Sequence, residues 1–600
     1  MEQLTLRKMA RRVPSAIGQT ARMAWRVDRA ALMVMVSGQL VAGVFMAVML
    51  AAVARAMVPL LGTGGVEERI SGAAVALAVA GGAAGVKTVA RIASSAAGRR
   101  LSPRLSTQTD LRMVGAHMDV EIEAYDEPGF SERSEAAEIG AARSSQLVQD
   151  ALSFTTACIN LVAVASVLAV VHPLLVPLLV ASVLPRGLGA IVAARLDYRL
   201  HNQTLASRNI RGMMRWFLTT SKHADELRGN TMRGYLRSWY AEVCERIDGR
   251  LVAAMPRYVR VSVVAAVLSG VFFVGTWAAL AALVLSGLME LAAAGAAIVA
   301  LQTASTALSV LVNYGATMFH HALYLEDYAE FLRRAGEQSG LRGEAVVGAP
   351  ERIVLRGASY TYRGKEKAAL GPVDLTLERG EIIAVVGENG AGKSTLIRLL
   401  TGLTLPTGGE VLWDGRPTRQ ADPESLWSHV GLVTQGFGHW PVTARDNLTL
   451  GQARAVADEE AVWGAVDAVG LRRAIEEDFP DGLDTLLARE MFGGHEPSGG
   501  QWQRLACGRA FYRRPGLLVM DEPTSAMDAR GEYQVLSQLR EGRKERITII
   551  VTHRLDNCRE ADRIVVVDQG RIRETGTFEQ LAHAPGGAFA ELYELLAAER

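Results

Sequence analysis

Gly387-Glu388-Asn389-Gly390-Ala391-Gly392-Lys393-Ser394-Thr395 is the stretch whose reading decides the second half of this 600-residue chain. It fits G-x-x-x-x-G-K-[ST]. The apolar run Ile382-Ile383-Ala384-Val385-Val386 before it predicts a buried strand, and Thr395-Leu396-Ile397-Arg398-Leu399-Leu400 continues it as a helix. Glycines let the backbone turn so that successive N–H groups and the helix N-terminus converge on phosphate oxygens. In that geometry Lys393 reaches the β- and γ-phosphates and the Ser394 hydroxyl ligates Mg²⁺.

Further along, Leu517-Leu518-Val519-Met520 is an apolar strand ending in Asp521 and Glu522. A strand parallel to the first delivers Asp521 beside the nucleotide's magnesium and leaves Glu522 to polarise an attacking water. Ahead of that strand, Pro497-Ser498-Gly499-Gly500-Gln501 opens the helix-like Trp502–Tyr512. A Ser-Gly-Gly turn at a helix N-terminus is a second anion-binding nest. It cannot readily serve the phosphate already cradled by its own chain, so the nucleotide of a second subunit is its natural ligand. Strand Thr548-Ile549-Ile550-Val551 ends in Thr552-His553, which puts an imidazole at the carboxyl edge of the sheet, where ligands bind in such folds.

The first half reads differently. Apolar runs cover about 31–61, 70–97, 147–171, 173–194, 259–285 and 291–317, each long enough for about 30 Å of hydrocarbon. Hydrophobic residues make up 49% of the chain and its mean hydropathy is +0.15, as membrane insertion requires. The tight hairpin His172-Pro173 is the weakest boundary between spans. The basic N-terminus, the stretch Arg99–Arg143 and the stretch Arg195–Arg257 share one side; the loops Gly62–Glu68, His172-Pro173 and Ser286–Glu290 are short and carry little positive charge. Both termini are therefore expected in the cytoplasm. The long cytoplasmic stretches read as helices extending beyond the bilayer, broken near Asp126-Glu127-Pro128-Gly129 and Arg228-Gly229-Asn230.

Arg7, Lys8, Arg11, Arg12, Arg22, Arg26 and Arg29 make residues 1–29 a basic, mildly amphipathic interfacial segment. The apolar run after it is too long for a cleaved signal peptide. With so few residues before Ala30, no peptidase domain is expected there. The expected division is 1–29 interfacial, 30–329 membrane, 330–350 a charged linker and 351–600 an α/β nucleotide domain. Lys+Arg 64 against Asp+Glu 63 gives no sign of nucleic-acid binding. Cys158, Cys244, Cys507 and Cys558 are too scattered for disulfides or a zinc site. Asn160, Gln302, Asn313 and the pair His320-His321 are polar groups in or beside spans; bonding between helices is a commoner use of such groups than lining a substrate path.

Phosphate loop, Gln435, Ser-Gly-Gly-Gln turn, Asp-Glu strand end and strand-end histidine stand in the order of ATP-binding-cassette (ABC) transporters, and the chain resembles that family from about Trp25 to Leu595. The nucleotide motifs are specific as a set; the first half resembles the exporter-type membrane domain in architecture. The resemblance implies an α-helical six-span domain fused to an α/β P-loop cassette, working as an ATPase and dimerising with a second half-transporter, identical or different. It implies Tyr362 stacking on adenine, ahead of Tyr360, and Gly387 to Thr395 around the phosphates. Gln435 and His553 would contact the γ-phosphate, with Glu522 at the hydrolytic water. Mg²⁺ would be held by Ser394, Gln435 and Asp521, while Ser498, Gly499, Gly500 and Gln501 close on the partner's ATP. Ser525-Ala526-Met527-Asp528 resembles the loop joining the two ATP sites, and Asp126–Arg133 and Arg228–Tyr235 the coupling helices. The family's signature usually begins with Leu, where this chain has Pro497, which fixes φ and lacks an N–H.

These features imply export of an amphipathic or hydrophobic substrate (peptide, lipid or drug-like) across a cell membrane, in the setting of a bacterial plasma membrane. Import by the same architecture, or a membrane regulator that binds ATP without transport, are the alternatives. Intact Glu522 and His553 argue against the regulator.

Overall fold

The computed structural model describes residues 18–60, 65–171, 173–220, 223–289, 291–339, 342–450, 458–488 and 494–598. Arg7, Lys8, Arg11, Arg12, His172 and Glu290 lie outside the described residues, as does the side chain of His320. The chain divides into two compact units: Met1–Asp119 with Gly129–Gly336, and Val120–Pro128 with Glu337–Arg600.

The first unit is helical. Residues 18–27 form α1, and Asp28 breaks the helix before α2 (Arg29–Leu60). Then come α3 (Val66–Asp119), α4 (Phe130–Val171), α5 (Leu175–Thr219), the short α6 (Ala224–Gly229), α7 (Arg233–Leu285) and α8 (Leu291–Ser339). Six of these are long and apolar enough to cross a membrane. At 54 and 53 residues, α3 and α7 reach about 80 Å at 1.5 Å per residue. That is more than twice the ~30 Å of a hydrocarbon core, so both continue well past a bilayer.

Close approach in this unit depends on small residues. A Cβ on Gly43 of α2 would lie 2.2 Å from Ile159 Cγ2 of α4, and one on Gly140 of α4 would lie 2.1 Å from the Tyr324 carbonyl oxygen of α8. Helices in lipid gain little from burying apolar surface, so backbone proximity carries their association. Among the polar residues here, His321 Nδ1 lies 3.0 Å from Asp150 Oδ2, joining α8 to α4 with both side chains largely buried.

The second unit is α/β. A six-stranded sheet has the order β10-β9-β3-β8-β7-β6, and a four-stranded antiparallel sheet the order β2-β1-β4-β5. Their ranges are β1 Arg352–Tyr360, β2 Leu370–Glu378, β3 Ile382–Val386, β4 Gly408–Trp413, β5 Arg416–Pro417, β6 Val430–Val433, β7 Leu517–Asp521, β8 Ile547–Val551, β9 Arg563–Asp568 and β10 Arg571–Gly576. Strands β9, β3, β8, β7 and β6 are parallel; β10 is antiparallel to β9. Alternate residues enter separate cores: Ile383, Val385, Leu517 and Val519 face one, Ile382, Leu518 and Met520 another. Both faces are covered, which is why these strands are apolar throughout instead of alternating.

Residues 342–350, read from the sequence as linker, are pinned to this unit. Gly343 and Ala345 donate N–H bonds to the carbonyls of Arg419 and Gln420. Arg342 forms a 2.6 Å ion pair with Glu121, the side chains 2% and 9% exposed. The Arg342 guanidinium also donates to the carbonyls of Gly402 and Leu403 and lies 5.0 Å from the Trp427 ring centroid. Glu127 pairs with Arg363, and burial followed by the neighbouring Glu121 pushes the Glu123 carboxyl above its ordinary range.

Candidate functional site

The loop after β3 can be built only with glycine at its tight points. Gly387 has φ +152° and a Cβ there would lie 2.1 Å from the Val567 carbonyl oxygen; Gly392 has φ +108° and would meet the Ala369 carbonyl at 2.8 Å. Gly390 is also left-handed at φ +81°, yet a Cβ on it meets nothing within 4 Å, so its outer side is open. Helix α9 (Lys393–Leu400) starts at Gly392. Lys393 folds back over the loop, its Nζ donating to the carbonyls of Gly387 at 2.7 Å and Glu388 at 2.9 Å. Burial holds this ammonium below its usual pKa, while Asp521 and Glu522 push the other way. A buried cation facing an open nest of N–H groups is the donor set that a polyphosphate needs.

The parallel strands bring the other groups to the same edge. Strand β8 lies between β3 and β7, with Asp521 level with Val551. Asp521 is pushed above the usual carboxylate range by burial and then by Glu522, with Lys393 and His553 opposing. Glu522 sits at φ +51°, a strained conformation for a side chain of this size. It is fixed there from both sides: its N–H donates to Val551 O at 2.9 Å, and its carbonyl accepts from Gln503 Nε2 at 2.9 Å. Its carboxylate has Gln435 Nε2 at 3.3 Å on one oxygen and His553 Nε2 at 3.2 Å on the other. Lys393, Gln435, Asp521, Glu522 and His553 thus form one cluster. Tyr362 lies beside it, its hydroxyl 3.4 Å from Thr395 Oγ1 and its ring edge-on to Tyr360.

The Ser498 turn is held by the start of its own helix. Ser498 caps helix Gly499–Tyr512 in a reciprocal box with Gln501, whose side chain also donates to Asp478 at 3.4 Å. Gln501 is therefore committed to the helix start, while Gly499 has an open Cβ position. With Pro497 in place the cap still forms, because the bond it needs comes from the Ser498 side chain and not from the N–H that proline lacks.

Several supporting residues gave no signal in the sequence. Gln503, 2% exposed, binds Glu522 O, Ser525 Oγ and the Ala526 N–H, so it holds the loop after β7 against the helix. Trp502 stacks on His439 with centroids 4.4 Å apart and planes 9° off parallel, which joins the Gln435 loop to that same helix. A glutamine and a tryptophan inside a helix are ordinary, and only the fold shows what they touch. Arg342 and Glu121, 221 residues apart in sequence, were equally invisible.

Geometry and fold together define a P-loop ATP-binding cassette in a chain that also carries six span-length helices. Residues 370–525 match the family model described as ABC transporter. An uncharacterised ABC transporter ATP-binding protein of Mycobacterium tuberculosis (strain ATCC 25618 / H37Rv) is 40% identical over 232 residues, 38% of this chain and 38% of that protein. The subtilin transport ATP-binding protein SpaT of Bacillus subtilis is 32% identical over 267 residues, 44% and 43% of the two chains. The ATP-dependent lipid A-core flippase of Chromobacterium violaceum is 37% identical over 246 residues, 41% of each. The matches span about two fifths of the length of these relatives. The structure of a bacterial Atm1-family ABC exporter with ATP bound superposes with TM-score 0.80 at 20% identity, covering 95% of this chain and 99% of that one. Residues 370–525 thus match the ABC transporter family model, and the chain as a whole shares its fold with that exporter, six span-length helices followed by an α/β nucleotide-binding unit.

Proposed function

We propose that this chain is one half of an ATP-driven exporter, and the single observation carrying that reading is the convergence of Lys393, Gln435, Asp521, Glu522 and His553 at one sheet edge. Lys393 leaves the Gly387 and Glu388 carbonyls for phosphate oxygens. Glu522 orients and deprotonates the attacking water, while Gln435 and His553, already on its two oxygens, hold that carboxylate in place and contact the terminal phosphate. Mg²⁺, bound by Ser394, Gln435 and Asp521, would offset phosphate charge. Tyr362 offers a ring face for adenine. The Ser498–Gly500 turn, a second nest capped at its own helix start, serves the nucleotide of a second half-transporter, identical or homologous. ATP binds the closed pair best, and that differential affinity supplies the drive for moving the helices.

The membrane half supports an amphipathic substrate. Ala190, Asp197, Met255, Tyr258, Asn313 and Thr317 line a cavity of about 580 Å³ among α5, α7 and α8, Asp197 being the one charged residue among the described residues lining it. An apolar wall with a few polar groups suits an amphipathic molecule. Relatives named for lipid A-core and subtilin point the same way. The setting is a cell membrane, with the cassette in the cytoplasm. The test is ATP turnover by the purified protein in liposomes, alone and with candidate partners, across peptides, lipids and hydrophobic drugs. Stimulation by an amphipath together with its ATP-dependent movement supports export. Turnover that no compound alters, with no movement of any, favours the regulator.

A further inference from the structure

A cavity of about 640 Å³ lies between α1 and α3, lined by Met23, Arg26, Arg104, Thr107, Gln108 and Arg112 among others. It takes no part in the nucleotide chemistry. One carboxylate organises it. Asp28, only 5% exposed at the break between α1 and α2, accepts on Oδ2 from Arg100 Nε at 2.9 Å and Arg104 Nη1 at 2.6 Å. Its other oxygen accepts from the Ala31 N–H at 3.0 Å. Both oxygens are engaged, and Arg26 and Arg112 add two further guanidiniums at the cavity wall. Three guanidiniums line the cavity, Arg26, Arg104 and Arg112, and Arg100 stands beside them on Asp28, which leaves it strongly positive, with the Thr107 hydroxyl and Gln108 amide to bond the oxygens of an anion.

Position selects the anion. Arg29 opens α2, whose next residues Met33, Val34, Val36 and Leu40 are exposed apolar side chains. At 1.5 Å per residue the Arg26 side of the cavity therefore lies within about 10 Å of where hydrocarbon begins, while α3 carries the opposite wall from about 10 Å (Arg104) to about 22 Å (Arg112) past the end of its apolar run near residue 97. Trp25, 43% exposed with the Arg29 guanidinium 5.8 Å from its ring centroid, is an aromatic of the kind that settles at the headgroup level. We propose that the α1–α3 cavity is a binding site for the phosphate-bearing headgroup of an anionic lipid of the cytoplasmic leaflet. The bound headgroup ties α1 to the cytoplasmic extension of α3 through Arg26 and Arg112, as Asp28 ties it through Arg100 and Arg104.

The test uses the full chain in nanodiscs of phosphatidylcholine with a minor fraction of phosphatidylglycerol, reading co-retained lipid by native mass spectrometry. The wild type is expected to retain phosphatidylglycerol in preference to phosphatidylcholine, even with excess inorganic phosphate present. Each arginine removed should weaken that preference about fivefold, so Arg26→Ala with Arg112→Ala loses most of it. Arg26→Lys with Arg112→Lys keeps the charge and should keep most of the preference. Arg22→Ala, on the same helix but not lining the cavity, should keep all of it. ATP turnover and melting temperature, measured alongside, report whether each variant is folded, and the lipid readout does not require that turnover moves any substrate. Equal retention of both lipids by the wild type overturns the proposal. So does displacement of the lipid by inorganic phosphate, or a lysine pair as defective as the alanine pair.

Discussion

Helix α2 buries Ala31, Ala42, Gly43, Ala52 and Ala56 together with Met35, Met46 and Leu50, and turns Met33, Val34, Leu40, Val44 and Val48 outward, whereas β3 buries all of Ile382 to Val386. The cassette hides its large apolar residues from water and gains on the order of 1.5–3 kcal/mol for each. The membrane half shows many of its large apolar residues to lipid and packs its small ones, because lipid offers a leucine nothing it must escape. Two solvents thus act on one chain, and the same substitution should have different consequences on either side of it.

The largest effect is expected where charge is buried. Arg342→Ala strands Glu121 and leaves the Gly402 and Leu403 carbonyls without their donor. The expected cost is about 3–5 kcal/mol, seen as earlier chemical unfolding of the cassette. A loss below about 1 kcal/mol, the scale of an exposed pair, would show that this contact is not buried in solution. Next comes packing in lipid. Gly43→Ala forces Ile159 aside and should cost about 1–3 kcal/mol. Gly81→Ala on α3, with nothing within 4 Å, should be neutral or stabilise by up to about 1 kcal/mol through helix propensity. Melting in detergent distinguishes the two, and equal effects would break the contrast drawn from α2.

A third prediction concerns pH. Burial, and then the neighbouring Glu326, push Asp327, on α8 past its apolar run, up to about 6 from 3.8. The folded protein then holds this proton more tightly than the unfolded chain, so stability falls as pH rises from about 4 to 6 and the full penalty applies at neutral pH. Asp327→Asn should therefore stabilise by roughly 1–2 kcal/mol at pH 7.5, allowing for screening by solvent, and by about half as much at pH 5. Melting curves at the two pH values check the sign; a variant equally shifted at both would contradict it. The smallest effect is expected at Pro497→Leu. Since the Ser498 cap forms beside proline, ATP turnover should change less than about threefold, or under ~0.7 kcal/mol. A larger gain would show that proline restrains closure on the partner's nucleotide.

The halves also differ in how much of them could be read in advance. Phosphate-loop chemistry admits few residues at Gly387, Gly392 and Lys393, so the motif and its strand and helix were legible residue by residue. The six spans were legible too, but only as lengths of apolar sequence, since any of many Ala, Val and Leu orders crosses a bilayer. What escaped were contacts between distant positions: Glu121 with Arg342, Gln503 under Glu522, His439 on Trp502. Each partner is an ordinary residue in its local setting, and no periodicity marks it. The breaks in the long helices were foreseen near 126–129 and 228–230. In the structure the first occupies residues 120–129, with a turn of 3₁₀ helix at Ile122–Ala124, and the second falls, among the described residues, around 230–232, after the short α6 and before α7.

The most direct test is Glu522→Gln in the full chain reconstituted with lipid, with Mg²⁺-dependent phosphate release and retained radiolabelled ATP measured together. Hydrolysis should fall at least about 100-fold, the low end for losing a general base, while ATP stays bound. Turnover at the parental rate, or failure of the parent protein to hold ATP at all, would contradict the account.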